Sequence, residues 1–191
     1  MLGLGLNLNK GGGQITGSEP VEERYDLITY SSDFTSNQDG WDVYLTNSNN
    51  VLVNQTVDGV SGCLEIRWFN KETSPWYFRK NFESLNLSDQ AGTGSAFTIS
   101  FDIYFKENIS NDIYTPVSGL LGFVAGQGSI QGNTITFDTT NMAADTWYTV
   151  SGTATIENAN NDYVYIGDSV SPGSGDSIFF KNIEISWEDR S

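Results

Sequence analysis

The stretch Phe97–Phe105, FTISFDIYF, decides the fold class, because apolar and polar residues alternate along its whole length. In a β-strand, successive side chains point to opposite faces of the sheet, so every second residue shares a face. The phase of Phe101 therefore predicts a core face, and Asp102 and Tyr104 fall on the other face. Burial of its apolar face contributes on the order of 10 kcal/mol before chain entropy is subtracted. We predict that this strand is central in a sheet.

Short runs with the same alternation fill the chain from Tyr25 onward, and turn residues separate them. This pattern is typical of an antiparallel sandwich or barrel. We predict strands near residues 25–30, 50–57, 63–69, 75–82, 96–106, 119–125, 133–138, 146–156, 162–166 and 177–187. Asp39-Gly40 and Asp58-Gly59 are turn signals. The predicted fold is an all-β, antiparallel β-sandwich with an extended N-terminal arm.

The composition excludes several classes of chemistry. The 191 residues include 24 acidic and 9 basic residues, one cysteine and no histidine, for a net charge of −15. Imidazole bases, Ser-His-Asp and Cys-His sites are therefore absent, and the charge disfavours nucleic acid or an anionic membrane as a partner. No carboxylate pair stands in a recognisable catalytic arrangement, and no segment is apolar enough to span a membrane. We expect a soluble, non-enzymatic protein without a cofactor.

Four leucines recur at period 2 near the amino terminus, and they are Leu2, Leu4, Leu6 and Leu8. An extended chain places them on one face, and the glycines at 11–13 form a flexible joint behind them. Two interpretations stay open, a disordered tail or a strand that docks on the sheet edge of another subunit. No secretory signal precedes them. The predicted organisation is a docking arm at residues 1–13, a linker at 14–24 and a sandwich domain at 25–191.

Asp33-Phe34 and Gly40-Trp41 open the predicted domain. The segments that follow are Ser61 to Ile66, Phe97 to Lys106, Thr146 to Gly152 and Ile178 to Ser186. In this order they resemble the jelly-roll carbohydrate-binding modules that are appended to glycoside hydrolases. The resemblance covers roughly residues 30–187 and implies a galactose-binding-like jelly roll more firmly than it implies a function.

The same resemblance raises the question of a structural calcium ion. In that family, aspartates in the last strand often help to hold the ion, and Phe180-Lys181-Asn182-Ile183 stands in the equivalent place. Lys181 puts its own charge where the cation would sit. Calcium requires six to eight oxygen ligands, and the candidate ligands are Asp26, Asp176 and Asn182. No dense acidic motif accompanies them, so the sequence leaves this site open.

Residues suited to sugar recognition occupy strand phases opposite the core. Aromatic faces cover the C–H side of a pyranose, and planar polar groups bond its hydroxyls. The candidates are Arg67, Phe69, Tyr77, Arg79, Asp102 and Tyr104. The alternative is that they line the solvent side of an ordinary sheet. We expect Tyr77, Arg79 and Tyr104 to converge across neighbouring strands. Trp147 falls on the polar phase, either as a covered edge residue or as an exposed contact.

The N-terminal arm resembles the anchoring tails of virion proteins of tailed bacteriophages. Since the chain begins with its own Met and has no export signal, assembly of a virion in the host cytoplasm would carry it to a surface. The sequence therefore predicts a multicopy bacteriophage virion structural protein, a capsid decoration or a head or tail fibre component at the virion surface. Its partners would be other virion proteins and a host surface glycan. The alternative is a bacterial surface glycan-binding module.

Overall fold

Antiparallel β-strands make up the regular structure of the protein. The computed structural model describes residues 26–44, 49–68, 76–81, 96–106, 120–125, 135–138, 143–155, 163–168 and 177–189. Its strands are β1 (Asp26–Ser32), β2 (Trp41–Tyr44), β3 (Asn49–Val57), β4 (Val60–Trp68), β5 (Trp76–Asn81), β6 (Ala96–Lys106), β7 (Leu120–Ala125), β8 (Ile135–Asp138), β9 (Trp147–Thr155), β10 (Tyr163–Asp168) and β11 (Ser177–Asp189). None of these segments forms a helix that could cross a membrane.

The strands form two sheets, in which every described pairing is antiparallel. Sheet A has the order β3-β4-β11-β6-β9, and β1 also pairs with β11. Sheet B has the order β2-β5-β10-β7-β8. Strands that follow each other in the chain therefore often lie in different sheets, as β5 and β6 do. The predicted all-β, antiparallel β-sandwich is confirmed.

The core lies between the two sheets. Phe101 of β6 is 1% exposed, which confirms the predicted inward phase of that strand. From sheet B, the Phe78 ring stacks on Trp41 with centroids 4.7 Å apart, and it also stacks on Phe180 of sheet A at 4.9 Å. Aromatic pairs at such distances add to the free energy of burial. These stacked rings join the sheets through side chains of three strands.

Strand β11 has two partners on one of its edges. It pairs with β4 from Ser177 to Phe180 and with β1 from Ile183 onward. Between these two stretches its register with β6 shifts, because Lys181 faces Asp102 whereas Glu184 faces Ser100. Three steps along β11 match two along β6, so β11 carries one extra residue. This is a β-bulge, which bends the strand and changes where its side chains point.

The predicted strands correspond to described elements, with one omission. β2 (Trp41–Tyr44) has only four residues, too few for alternation alone to mark it. Both predicted turns are present, since Asp39 and Gly40 have φ of 49° and 74°, and Asp58 and Gly59 have φ of 49° and 78°. Positive φ at both central residues is typical of hairpin turns, and Asp58-Gly59 joins the paired strands β3 and β4, whereas Asp39-Gly40 leads from β1 of sheet A to β2 of sheet B.

Candidate functional site

The structure divides the predicted sugar-binding residues between the two sheets. Arg79 lies in β5 of sheet B, whereas Tyr104 lies in β6 of sheet A. Both alternate with buried residues, so the two residues occupy opposite outer faces of the sandwich, and packed sheets are about 10 Å apart. The predicted convergence of Tyr77, Arg79 and Tyr104 is therefore wrong. For Tyr77 the structure describes only the backbone position in β5, and Phe69 lies outside the described residues.

Arg67 is part of a polar contact that stabilises sheet A. Its Nε and Nη2 donate to the two carboxylate oxygens of Glu65 at 2.8 and 2.9 Å. Ser177 Oγ donates to the same carboxylate at 2.7 Å. The Glu65 side chain is 2% exposed and that of Arg67 44% exposed, so the arginine shields a buried charge. Glu65 alternates with the buried Leu64 and Ile66 and so has the outward phase of β4, but Arg67 and Ser177 cover it on that face.

A row of aromatic side chains crosses the outer face of sheet A. Tyr104 faces Trp147 in the register with β9 and Phe179 in the register with β11. The ring centroids of Tyr104 lie 5.3 Å from Trp147 and 5.9 Å from Phe179. Val57, Cys63, Tyr104 and Phe179 form a second buried cluster, against which Trp147 packs. The outer face of sheet A is therefore partly apolar, and these packed side chains cover part of it.

Tyr104 is anchored at its hydroxyl as well as at its ring. The hydroxyl donates to Asp145 Oδ1 at 3.0 Å, and Asp145 lies in the turn before β9 with a φ of 54°. Burial, followed by the contact with Asp145, raises the pKa of Tyr104 to about 12. The expected outward position of Tyr104 is thus corrected, since the residue is only 5% exposed. It serves as a support for Trp147.

A row of polar side chains lies beside the aromatic row. Asp102 faces Thr149 of β9 and Lys181 of β11. Thr149 Oγ1 donates to Asp102 Oδ1 at 2.6 Å, and Asn182 Nδ2 donates to Oδ2 of the same carboxylate at 2.6 Å. Lys181 Nζ donates to the carbonyl of Ser61 at 2.6 Å. Asp102 is thereby fixed between two neutral donors.

The two rows enclose a depression of about 290 Å³. It is lined by Val60, Asp102, Trp147, Thr149, Lys181 and Asn182. The sequence left two interpretations of Trp147, a covered edge residue or an exposed contact. In the structure its side chain is half-buried, packs on Tyr104 and borders the depression. Within the described segments, its Nε1 is the buried side-chain polar atom that lacks a hydrogen-bond partner.

The outer face of sheet B is organised around an ion pair between neighbouring strands. Arg79 Nε and Nη2 donate to the Asp42 carboxylate at 3.0 and 3.2 Å. The two side chains are 23% and 53% exposed. In the register, Arg79 also faces Tyr165 of β10. The next row pairs Tyr44 with Tyr77 and Tyr77 with Gly167, at the same phase as Arg79.

A buried polar network holds β2 and β5 against sheet A. Trp41 Nε1 donates to Ser32 Oγ at 2.7 Å, and the Ser32 hydroxyl contacts the Tyr30 hydroxyl at 2.8 Å. Tyr30 donates to the Asp39 carboxylate, and Lys80 donates to the Asp39 carbonyl. Burial raises the pKa of Tyr30 above its usual range and lowers that of Lys80. The network positions the strand that carries Asp42.

Comparison with known proteins gives similarity in structure alone. No protein-family model matches the chain, and no curated protein matches its sequence. The CBM22-1 xylan-binding domain of Paenibacillus barcinonensis Xyn10C superposes with a TM-score of 0.53 at 12% identity, over 87% of this chain and 97% of that domain. The C-terminal family 22 carbohydrate-binding module of Clostridium thermocellum Xyn10B gives 0.50 at 14% identity, over 84% and 94%.

The fold is that of carbohydrate-binding modules. A further xylan-binding domain of family 22 covers 89% of this chain and 98% of its own length, with a TM-score of 0.50 at 14% identity. The fold predicted from Asp33-Phe34, Gly40-Trp41 and the segments after them is confirmed. At these identities the likeness concerns the carbohydrate-binding-module fold, and none of these structures bears on the predicted arm, whose residues 1–13 lie outside the described ones.

Two of the predicted calcium ligands, Asp26 and Asn182, lie far apart in the structure. Asn182 lies at the bulge of β11, next to Ile183, which faces Ser32. Asp26 lies at the other end of β1, opposite Asp189, so roughly 20 Å of extended strand separates it from the bulge. Asp176 lies outside the described residues. The described segments hold no group of three or more acidic or cysteine residues that could bind a metal.

Several site residues were not foreseen from the sequence. Thr149, Lys181 and Asn182 line the depression, yet only Asn182 had a predicted role, as a calcium ligand. The available signal was the pair Lys181-Asn182, two consecutive polar residues that interrupt the alternation of the strand. The thiol of Cys63 is buried and donates to the Val60 carbonyl at 3.4 Å, and burial raises its pKa.

Proposed function

We propose that the protein is a non-catalytic glycan-binding module, and that it binds a neutral polysaccharide chain along the outer face of sheet B. Xylan is the first candidate, because family 22 domains named for xylan binding share the fold. Likeness of fold alone does not carry a ligand from one module to another. The proposal therefore depends on the residues of sheet B.

The observation that carries the proposal is the register of sheet B. Phe78 of β5, Trp41 of β2 and Ile166 of β10 are all fully buried, which fixes the inward phase of these strands. In the register, the strand positions of four tyrosines share the phase of Arg79 and Asp42, and these are Tyr44, Tyr77, Tyr163 and Tyr165. Neighbouring strands are about 4.8 Å apart, so the positions form a continuous strip.

The residue types of this strip match the two needs of sugar recognition. Tyrosine rings offer flat apolar faces with a polar tip, which suits the C–H face of a pyranose. The Asp42 carboxylate is 53% exposed and accepts hydrogen bonds from hydroxyls. The bidentate contact fixes the plane of the Arg79 guanidinium. An oriented carboxylate beside a guanidinium and aromatic positions is suited to a chain of neutral sugar rings.

Two glycines shape the middle of the same face. Gly167 of β10 faces Gly122 of β7 in the register, and Gly167 also faces Tyr77. With no side chain at either position, the backbone itself forms the surface between the flanking strands. A ligand chain lying across the sheet would approach the backbone at this row, which favours binding across the strands.

Charge favours a neutral ligand over an acidic one. The chain carries a net charge of −15, which repels polyanions at long range. Of the two functions that the sequence left open, a glycan-binding module has the support of the fold. A role in a bacteriophage virion stays a prediction, because it depends on residues 1–13, which the structure does not describe.

The test is calorimetric titration of the full chain with xylohexaose and with other neutral oligosaccharides. We expect dissociation constants between millimolar and micromolar, or about 4–8 kcal/mol. Arg79→Ala and Tyr77→Ala should each weaken binding by about tenfold, the effect of roughly 1.4 kcal/mol. Lys106→Ala, which removes an exposed cation from sheet A, is the matched control and should bind like the wild type.

Two results would contradict the proposal. One is the absence of binding to every neutral oligosaccharide at millimolar concentrations. The other is binding that neither Arg79→Ala nor Tyr77→Ala changes while both variants remain folded by circular dichroism.

A further inference from the structure

We infer that the depression on the outer face of sheet A is a second ligand site, and that it takes a single neutral sugar residue. It lies on the face of the sandwich opposite to the strip of sheet B, and no residue belongs to both. The inference goes beyond the proposed function and does not depend on it, because the site is argued from its own contacts.

The bulge in β11 creates the polar side of this site. Phe180 and Ile183 both point into the core and are fully buried, so two residues between them must be accommodated on the outer side. These are Lys181 and Asn182, both of which line the depression. Asn182 has a φ of 51°, a conformation that non-glycine residues rarely adopt. A regular strand would point Asn182 inward, so the bulge provides a second polar group.

The polar side chains are already held in place before a ligand binds. Thr149 and Asn182 each donate to one oxygen of Asp102 at 2.6 Å. A carboxylate has about four acceptor positions, so two stay open for ligand hydroxyls. Lys181 uses one of its three N–H donors on Ser61, and the described segments give it no other hydrogen-bond partner. Preorganised donors and acceptors reduce the entropy cost of binding.

An aromatic wall completes the site. The Trp147 ring packs on Tyr104 at 5.3 Å between centroids, and Tyr104 is itself fixed by Phe179 and Asp145. Trp147 is half-buried and borders the polar row. Its ring therefore cannot turn away freely. An indole beside a carboxylate, an amide and an ammonium group matches a pyranose, which has apolar C–H groups and hydroxyls at short spacing.

Size and charge select the ligand class. The depression measures about 290 Å³, at the lower limit of the roughly 300–1,000 Å³ of drug-sized ligand pockets. A depression of this size suits a single sugar ring. One cation, Lys181, and one anion, Asp102, line it, so its net charge is zero. The protein as a whole repels anions at a net charge of −15, which leaves a neutral sugar as the ligand.

The experiment measures saturation-transfer NMR of the full chain with glucose, galactose, xylose and glucuronate. We expect millimolar binding of at least one neutral sugar and much weaker binding of glucuronate. Thr149→Val removes a hydroxyl at nearly constant shape and should weaken binding by about tenfold. Thr98→Val makes the same change at an exposed position on the same face, where Thr98 faces Thr153, and should have no effect.

Asp102→Asn is the second variant, because it keeps the shape of the side chain and removes its charge. It should also weaken binding, whereas Arg79→Ala on the opposite face should leave it unchanged. Loss of single-sugar binding in Arg79→Ala would overturn the inference, as would unchanged binding in both Thr149→Val and Asp102→Asn. Equal binding of glucuronate, or no binding of any neutral sugar, would do the same. The effect of Arg79→Ala on oligosaccharide binding tests the proposed site on sheet B separately.

Discussion

At the scale of single residues, Tyr104 shows how position and environment can differ. It lies on the face of β6 opposite to the core, at the same phase as Asp102, yet it is only 5% exposed. Trp147 and Phe179 pack against its ring. An unpaired buried hydroxyl would be costly, and Asp145 prevents this by accepting its hydrogen bond. The tyrosine is therefore structural, and it supports the aromatic wall of the depression.

Tyr104→Phe should destabilise the protein by about 0.5–1.5 kcal/mol near neutral pH, because the hydrogen bond to Asp145 is lost. Burial raises the pKa of Tyr104 to about 12, above the value of about 10 for an unfolded tyrosine. The contribution is therefore complete below pH 10 and decreases as pH rises towards 12, because the unfolded chain ionises first. Urea unfolding at pH 8 and at pH 11.5 measures the difference between variant and wild type.

The difference in the free energy of unfolding between Tyr104→Phe and the wild type should be smaller at pH 11.5 than at pH 8. Tyr30 and Lys80 also have shifted pKa values, but they are present in both proteins, so their effects largely cancel. A difference that stays constant with pH would contradict the assignment.

At the scale of elements, the β3–β4 hairpin is determined by its two turn residues. Asp58 and Gly59 both have positive φ, which such a turn requires. A Cβ placed on Gly59 would contact nothing within 4 Å. Backbone strain alone therefore makes glycine preferable at this position.

Gly59→Ala should lower the free energy of unfolding by about 1–2 kcal/mol, the typical cost of a left-handed conformation for a residue with a Cβ. Asp58→Asn is the matched control, because asparagine tolerates this conformation well, and it should change stability by less than about 0.5 kcal/mol. Thermal or urea unfolding of both variants measures the effect. Equal stability of Gly59→Ala and the wild type would show that the turn relaxes into another conformation.

At the scale of the whole molecule, the two sheets meet through one aromatic core. The core cluster takes residues from both sheets, from Trp41 of β2 to Trp187 of β11. The single cysteine is buried and free, so no internal disulfide contributes. The stability of the sandwich therefore depends on packing between the described strands, which span residues 26–189.

Deletion of residues 1–13 should leave the thermal midpoint unchanged, because the glycines at 11–13 are predicted to be a flexible joint behind them and the core cluster of the described residues already joins both sheets. Ile103→Ala in the full chain is the positive control, since it empties a fully buried position and should cost about 2–5 kcal/mol. Differential scanning calorimetry of the three proteins makes the comparison. A midpoint of the truncated protein as low as that of Ile103→Ala would mean that the arm is part of the folded domain.

The sequence by itself determined the features that depend on neighbouring residues. The alternation from Phe97 to Phe105 gave the inward phase of β6 because side chains in any strand alternate between faces. The Asp58-Gly59 pair predicted its turn because few residues accept positive φ. These local rules were enough to predict most strands and the all-β class.

Only the tertiary structure decided which of these residues meet. β5 and β6 are consecutive strands but belong to different sheets, so Tyr77 and Tyr104 do not share a face although both have the outward phase. The bulge that brings Lys181 and Asn182 beside Asp102 arises where β11 exchanges β4 for β1. Pairing between strands distant in the chain is set by packing of the whole core, and alternation within one strand carries no information about it.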